Sequence, residues 1–122
     1  MQKTYDAQNS FARILRGEIP NKTVLDTPHT LVFDNINPAA PVHVLAIPKG
    51  AYVDFSDFAT NASEAEITDF HRACAKVCEM LGLEAGGYRC ITNAGAHGMQ
   101  EVPHYHLHII GGRVLGRLVD PA

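Results

Sequence analysis

His104-Tyr105-His106-Leu107-His108-Ile109-Ile110 alternates imidazoles with apolar side chains. In an extended strand successive side chains point to opposite faces, with a rise of about 3.3 Å per residue. His104, His106 and His108 therefore project from one face about 6.6 Å apart, and Tyr105, Leu107 and Ile109 from the other. The apolar set can bury against a helix, which leaves three imidazoles together on the open face of a sheet. Burying three titratable rings side by side costs desolvation and mutual repulsion with no evident packing gain, so the row reads as chemistry. Single histidines do not carry that argument, and His29 and His97 read as structural.

Outward from this strand, the rest of the chain supplies a sheet and its cover. Ser10 to Arg16 carries Phe11, Ile14 and Leu15 at helical spacing and stops at Gly17, with Pro20 beyond, which predicts a short N-terminal helix. TVLDT and TLVFDN, separated by Pro28 and His29, predict a hairpin. VHVLAIP is a third strand ended by Pro48, with His43 on the same face as Leu45 and Ile47. Ser63 with Glu66 forms a capping box, and Ile67, Phe70, Cys74, Val77, Cys78 and Leu81 make one apolar stripe on a long helix ending at Gly82. His71 lies near the edge of that stripe and reads as a surface or packing residue. YRCITN predicts a fourth strand, and the segment AGAHGMQEV leads through Pro103 into the final one. Five strands, one short helix and one long helix give an α+β domain, its mostly antiparallel sheet covered by helix on one face and free to hold a ligand on the other.

Composition bounds the function. With 122 residues and 46% hydrophobic content the chain is expected to form one domain, spanning residues 1–122, with a modest core. Ten Lys and Arg against thirteen Asp and Glu leave a net charge of -3, without the basic excess that a phosphate backbone requires, so nucleic acid is not an expected partner. No apolar run approaches the roughly 20 residues of a membrane span, and the polar N-terminus does not resemble a signal peptide. A cytoplasmic location with no membrane partner is expected. The three cysteines, Cys74, Cys78 and Cys90, lack C-x-x-C spacing, and without an export signal Cys74 and Cys78 read as small buried residues. In that location the sequon at Asn61 is a chance match.

Two chemistries remain open for the row. Imidazoles at i and i+2 of a strand can converge on one zinc or copper ion. Imidazole is also a nucleophile and a general acid or base near neutral pH, suited to acyl or phosphoryl transfer. Only Glu101 is an obvious supporting carboxylate for a metal. For phosphoryl transfer, the preceding loop NAGAHGMQ offers backbone amides that could line an anion.

The run HYHLHII followed by Gly111, Gly112 and Arg113 resembles the signature of the histidine triad (HIT) superfamily. FARILRGEIP, FDNINPAAPVHVLAIPK, YRCITNAG and GMQEVPHYHLHIIGGR, in this order, are similar to its Hint-like branch from about Phe11 to Arg113. The resemblance implies a HIT-like fold, a homodimer with the sheet continued across its interface, and hydrolysis of purine nucleoside 5'-phosphoramidates to the nucleotide (AMP or GMP type) and an amine. It implies no metal and no cofactor. By motif position, His106 would attack the α-phosphorus, His108 would contact phosphate and leaving group, and His104 and His43 would support the row. Asn93 and the backbone of Gln100, Glu101 and Val102 would hold phosphate and ribose, and Phe11, Ile14, Ile19 and Ile36 would form the slot for the base. The chain departs from the family in three places. Asn35, after Asp34, stands where an Asp commonly meets the ribose; Glu101 stands where many relatives have a Ser; Asn9 and Ala12 stand where some bacterial relatives place zinc-binding cysteines. A dinucleoside polyphosphate hydrolase or nucleotidyltransferase, and a non-catalytic nucleotide-binding dimer, are the competing readings.

Overall fold

The computed structural model describes residues 3–120. Its elements are α1 (Ser10–Leu15), β1 (Thr23–Asp26), β2 (Thr30–Asp34), β3 (Val42–Pro48), α2 (Phe55–Asn61), α3 (Glu64–Met80), β4 (Tyr88–Ile91) and β5 (Leu107–Gly111). The strands form one sheet in the order β1-β2-β3-β5-β4, and every neighbouring pair is antiparallel. This is an α+β domain, as the sequence predicts. The short helix, the hairpin and the capped long helix all form.

Side-chain alternation divides the core in two. On one face Val32, Val44 and Ile109 pack with Phe70, Cys74, Val77 and Cys78 of α3. On the other, Leu31, Phe33, Leu45 and Ile47 pack with Phe11 of α1. The second face is thus not fully open, because the short helix lies across part of it and leaves a cleft beside itself. α3 begins with the predicted box: the Glu66 N–H donates to the Ser63 hydroxyl at 3.2 Å, and the Ser63 N–H donates to Glu66 Oε1 at 3.1 Å. Asp69 ties the helix to the hairpin by accepting from Thr27 Oγ1 at 2.6 Å, Thr30 Oγ1 at 2.8 Å and the His29 N–H at 3.1 Å.

Two elements differ from expectation. α2 is an additional helix, capped by Asp54, whose carboxylate accepts from the Asp57 N–H. β5 starts at Leu107 rather than His104, so the first two histidines sit in its lead-in. The Tyr105 N–H there donates to the Tyr52 carbonyl, and the His104 N–H to the Val102 carbonyl, in place of a strand partner. Facing nevertheless persists. Tyr105 stacks on Phe58 with ring centroids 5.0 Å apart on the helix side, while His106 meets the edge of Phe11 at 5.0 Å on the other. Among the described residues no helix is long and apolar enough to cross a membrane.

Candidate active site

β3 and β5 bring the histidines together. Leu45 pairs with His108 and His43 with Ile110, so His43 and His108 lie diagonally on the same face. The Ala39 N–H donates to His43 Nδ1 at 2.9 Å, which puts the His43 proton on Nε2. That nitrogen is 2.9 Å from His108 Nδ1 and donates to it, so His108 carries its own proton on Nε2. The lead-in is ordered the same way. His104 Nε2–H donates to the Pro48 carbonyl at 2.8 Å, and the Tyr5 hydroxyl, 2.6 Å away, donates to His104 Nδ1. His106 Nδ1–H donates to the His104 carbonyl at 2.7 Å. The His106 Nε2 lone pair is left free, the tautomer that a nucleophile needs.

The three rings are therefore not spread on an open face. His104 is 0% exposed, behind the others, and His106 is 7% exposed. Burial without penalty is possible because each ring nitrogen that is enclosed has a partner; among the described residues no buried side-chain nitrogen or oxygen lacks one. Burial pushes His104 and His108 down to about 4 and lowers His43, so all three rings are neutral at pH 7. Burial also lowers His106, against the opposing pull of its bond to the His104 carbonyl and of the Glu101 carboxylate. Apart from His106 Nε2 and His108 Nε2, the ring nitrogens of the four histidines are taken up by one another, by backbone groups and by the Tyr5 phenol, and among the described residues no three His, Cys, Asp or Glu are grouped to hold a metal.

A cleft of about 610 Å³ opens over His106 and His108. Phe11, Ile14, Ile19 and Ile36 line it, with Ile36 90% exposed at the rim. Asn93, Glu101, Val102, Asp34 and Asn35 line it as well, and His43 borders an adjoining groove. Gln100 does not reach the cleft: its amide nitrogen donates to the Val53 and Val102 carbonyls at 2.7 and 3.1 Å, and its oxygen accepts from the Gly95 N–H. The loop before the row was expected to offer its amides to an anion, but those of Gly95, Met99 and Gln100 are bonded within the loop. The loop is closed tightly enough that a Cβ at Gly98 would sit 2.5 Å from the Ala94 carbonyl oxygen. Asn35 is also engaged locally. Its Oδ1 accepts from the Asn37 N–H at 2.9 Å, and its Nδ2 faces His43 Nε2 at 3.2 Å.

Sequence reasoning missed Tyr5, and it missed Thr92, whose hydroxyl donates to the His106 carbonyl at 2.8 Å. Neither carries a local signal, since Tyr5 lies 99 positions before the ring it touches. Asn9, opposite the zinc-ligand positions of some relatives, instead caps α1 by accepting from the Ala12 N–H at 2.9 Å.

The HIT domain family matches residues 16–115. The chain belongs to the HIT family. A HIT-like protein of Azospirillum brasilense, described as an uncharacterized 13.2 kDa protein, is 55% identical to it over 119 residues, covering 98% of both chains. A HIT relative named purine nucleoside phosphoramidase, from Escherichia coli, is 37% identical over 109 residues, covering 89% of this chain and 91% of the relative. Among solved HIT structures, a histidine triad protein from Clostridium difficile superposes with a TM-score of 0.84 at 32% identity, covering 95% of this chain and all of that one.

Proposed function

We propose that the protein hydrolyses the P–N bond of purine nucleoside 5'-phosphoramidates through a nucleotidyl intermediate on His106. The observation that carries this reading is the 2.7 Å bond from His106 Nδ1–H to the His104 carbonyl, which leaves Nε2 as a free lone pair at the cleft. The phosphoramidase relative from Escherichia coli supports the substrate class.

In the first step His106 Nε2 forms a bond to the α-phosphorus as the P–N bond to the amine breaks. The imidazole becomes cationic, and the His104 carbonyl, already accepting from Nδ1–H, stabilises that charge without reorganising. The neutral His108 Nε2–H donates a hydrogen bond to the phosphoryl oxygen and keeps its proton, and the departing nitrogen takes a proton from solvent as the amine leaves. In the second step water attacks phosphorus and returns a proton to solvent, the P–Nε2 bond breaks so that the imidazole leaves as the neutral ring, and the nucleotide carries the new P–O bond. Phe11, Ile14, Ile19 and Ile36 take the purine, and Asn93 with the Val102 backbone takes phosphate and ribose. Glu101, at the Ser position of many relatives, adds a negative charge near the leaving group.

The same reading includes a homodimer joined along β4, a sheet-edge strand whose outer side has no neighbour in the described chain. The discriminating experiment compares turnover of adenosine 5'-phosphoramidate with that of diadenosine polyphosphate. Faster release of AMP from the phosphoramidate is expected; preference for the polyphosphate would select the alternative hydrolase, and AMP binding without turnover of either would select a binding dimer. His106→Ala is expected to abolish turnover and leave AMP binding within about tenfold, because ground-state affinity rests on base and phosphate contacts.

A further inference from the structure

We infer that Tyr5 is a positioning residue for His106, acting through His104 from the N-terminal segment. The inference rests on the reading of His106 as nucleophile. Three bonds make the chain of contact. The Tyr5 hydroxyl donates to His104 Nδ1 at 2.6 Å, His104 Nε2–H donates to the Pro48 carbonyl at 2.8 Å, and the His104 carbonyl accepts from His106 Nδ1–H at 2.7 Å. With both ring nitrogens bonded from opposite sides, the His104 ring has one orientation and one tautomer. Its backbone carbonyl is the group that holds the His106 proton on Nδ1.

His104 is fully enclosed, and the Tyr5 hydroxyl is the partner that satisfies its Nδ1 there. The Tyr5 ring also meets the His104 ring edge-on, with centroids 5.6 Å apart. The segment carrying Tyr5 is fastened on both sides: Lys3 pairs with Asp54 and donates to Ser56 at 3.0 Å, and Arg16 donates to the Ala7 carbonyl at 2.7 Å. Lys3 and Asp54 thus anchor to the helix-capping turn what Tyr5 delivers to the row.

The test uses the full chain and the variant Tyr5→Phe, which keeps the ring contact and removes only the hydroxyl. Two readouts are taken: kcat and KM on adenosine 5'-phosphoramidate, and the imidazole nitrogen and proton resonances of His104 and His106. A fall in kcat of about tenfold is expected, with KM changed less than about twofold, together with a shift of the His104 Nδ1 and His106 Nδ1–H signals. A role confined to stability would lower the melting temperature and leave both signals in place. Unchanged kcat, or unchanged imidazole signals, overturns the inference. If Tyr5→Phe is not folded at the assay temperature, Lys3→Ala takes its place with the same readouts. If the wild-type protein does not turn over the phosphoramidate, the nucleophile reading fails, and the resonances alone still decide whether Tyr5 governs the pair.

Discussion

His43, His104, His106 and His108 differ in what their second nitrogen touches, and that difference assigns their work. A backbone N–H fixes His43, a carbonyl and a phenol fix His104, a carbonyl fixes His106 and an imidazole fixes His108. At Asn35 the local fit is poor, because its Nδ2 and the protonated His43 Nε2 are both donors, 3.2 Å apart. Asn35→Asp keeps an acceptor for the Asn37 N–H and places a carboxylate oxygen against His43 Nε2–H. An opposite charge at that distance favours imidazolium, so the His43 pKa, lowered by burial in the wild type, is expected to rise. A histidine titration followed by NMR measures it. An unmoved His43 curve would mean that the new carboxylate turns to the cleft, where the ribose was expected.

At the scale of elements, Asp69 joins α3 to the hairpin more firmly than apolar contact alone. Burial tends to raise the pKa of this carboxylate, yet bonds from Thr27, Thr30 and the His29 N–H hold it below the ordinary value. Asp69→Ala removes the partner of the Thr30 hydroxyl and the His29 N–H, while the Thr27 hydroxyl can still donate to the Thr30 carbonyl at 3.2 Å, and a loss of about 1 to 3 kcal/mol is expected in denaturant unfolding. A loss under about 0.5 kcal/mol would show that water replaces the carboxylate. The same elements explain what could be read in advance. The capping box at Ser63 and Glu66 and the period-two runs of β2 and β3 are local patterns, and they form as the residues dictate. FSDFATN has neither a stripe nor enough length to separate it from a loop, so α2 was illegible. His104 and His106 keep the facing of a strand without its pairing, because the N–H groups of His104 and Tyr105 donate to the Val102 and Tyr52 carbonyls and the His106 carbonyl accepts from the Thr92 hydroxyl. The imidazole row was legible as chemistry; the carbonyls and the phenol that set its tautomers come from distant segments and were not.

For the whole molecule, the buried rings make stability depend on pH in a definite direction. His104 and His108 titrate near 4 in the folded chain and near 6.5 when unfolded. Between those values the unfolded chain binds protons that the folded chain does not, so stability falls as pH drops from 6.5 toward 4 and is level above 6.5 as far as these groups are concerned. The depressed carboxylates of Asp54, Glu66 and Asp69 act in the same sense, their contribution being lost as pH falls below the unfolded carboxylate range. The urea midpoint is therefore expected to be lower at pH 5 than at pH 7.5, and an equal midpoint at both would contradict the burial of neutral imidazoles. Activity should follow His106, whose lowered pKa puts the acid limb of kcat/KM below the ordinary histidine value. The most direct test of the account is mass spectrometry of protein quenched during turnover of adenosine 5'-phosphoramidate. An adenylyl adduct on the peptide carrying His106, absent from His106→Ala, is the predicted result; turnover with no adduct on that peptide, or turnover retained by His106→Ala, would contradict it.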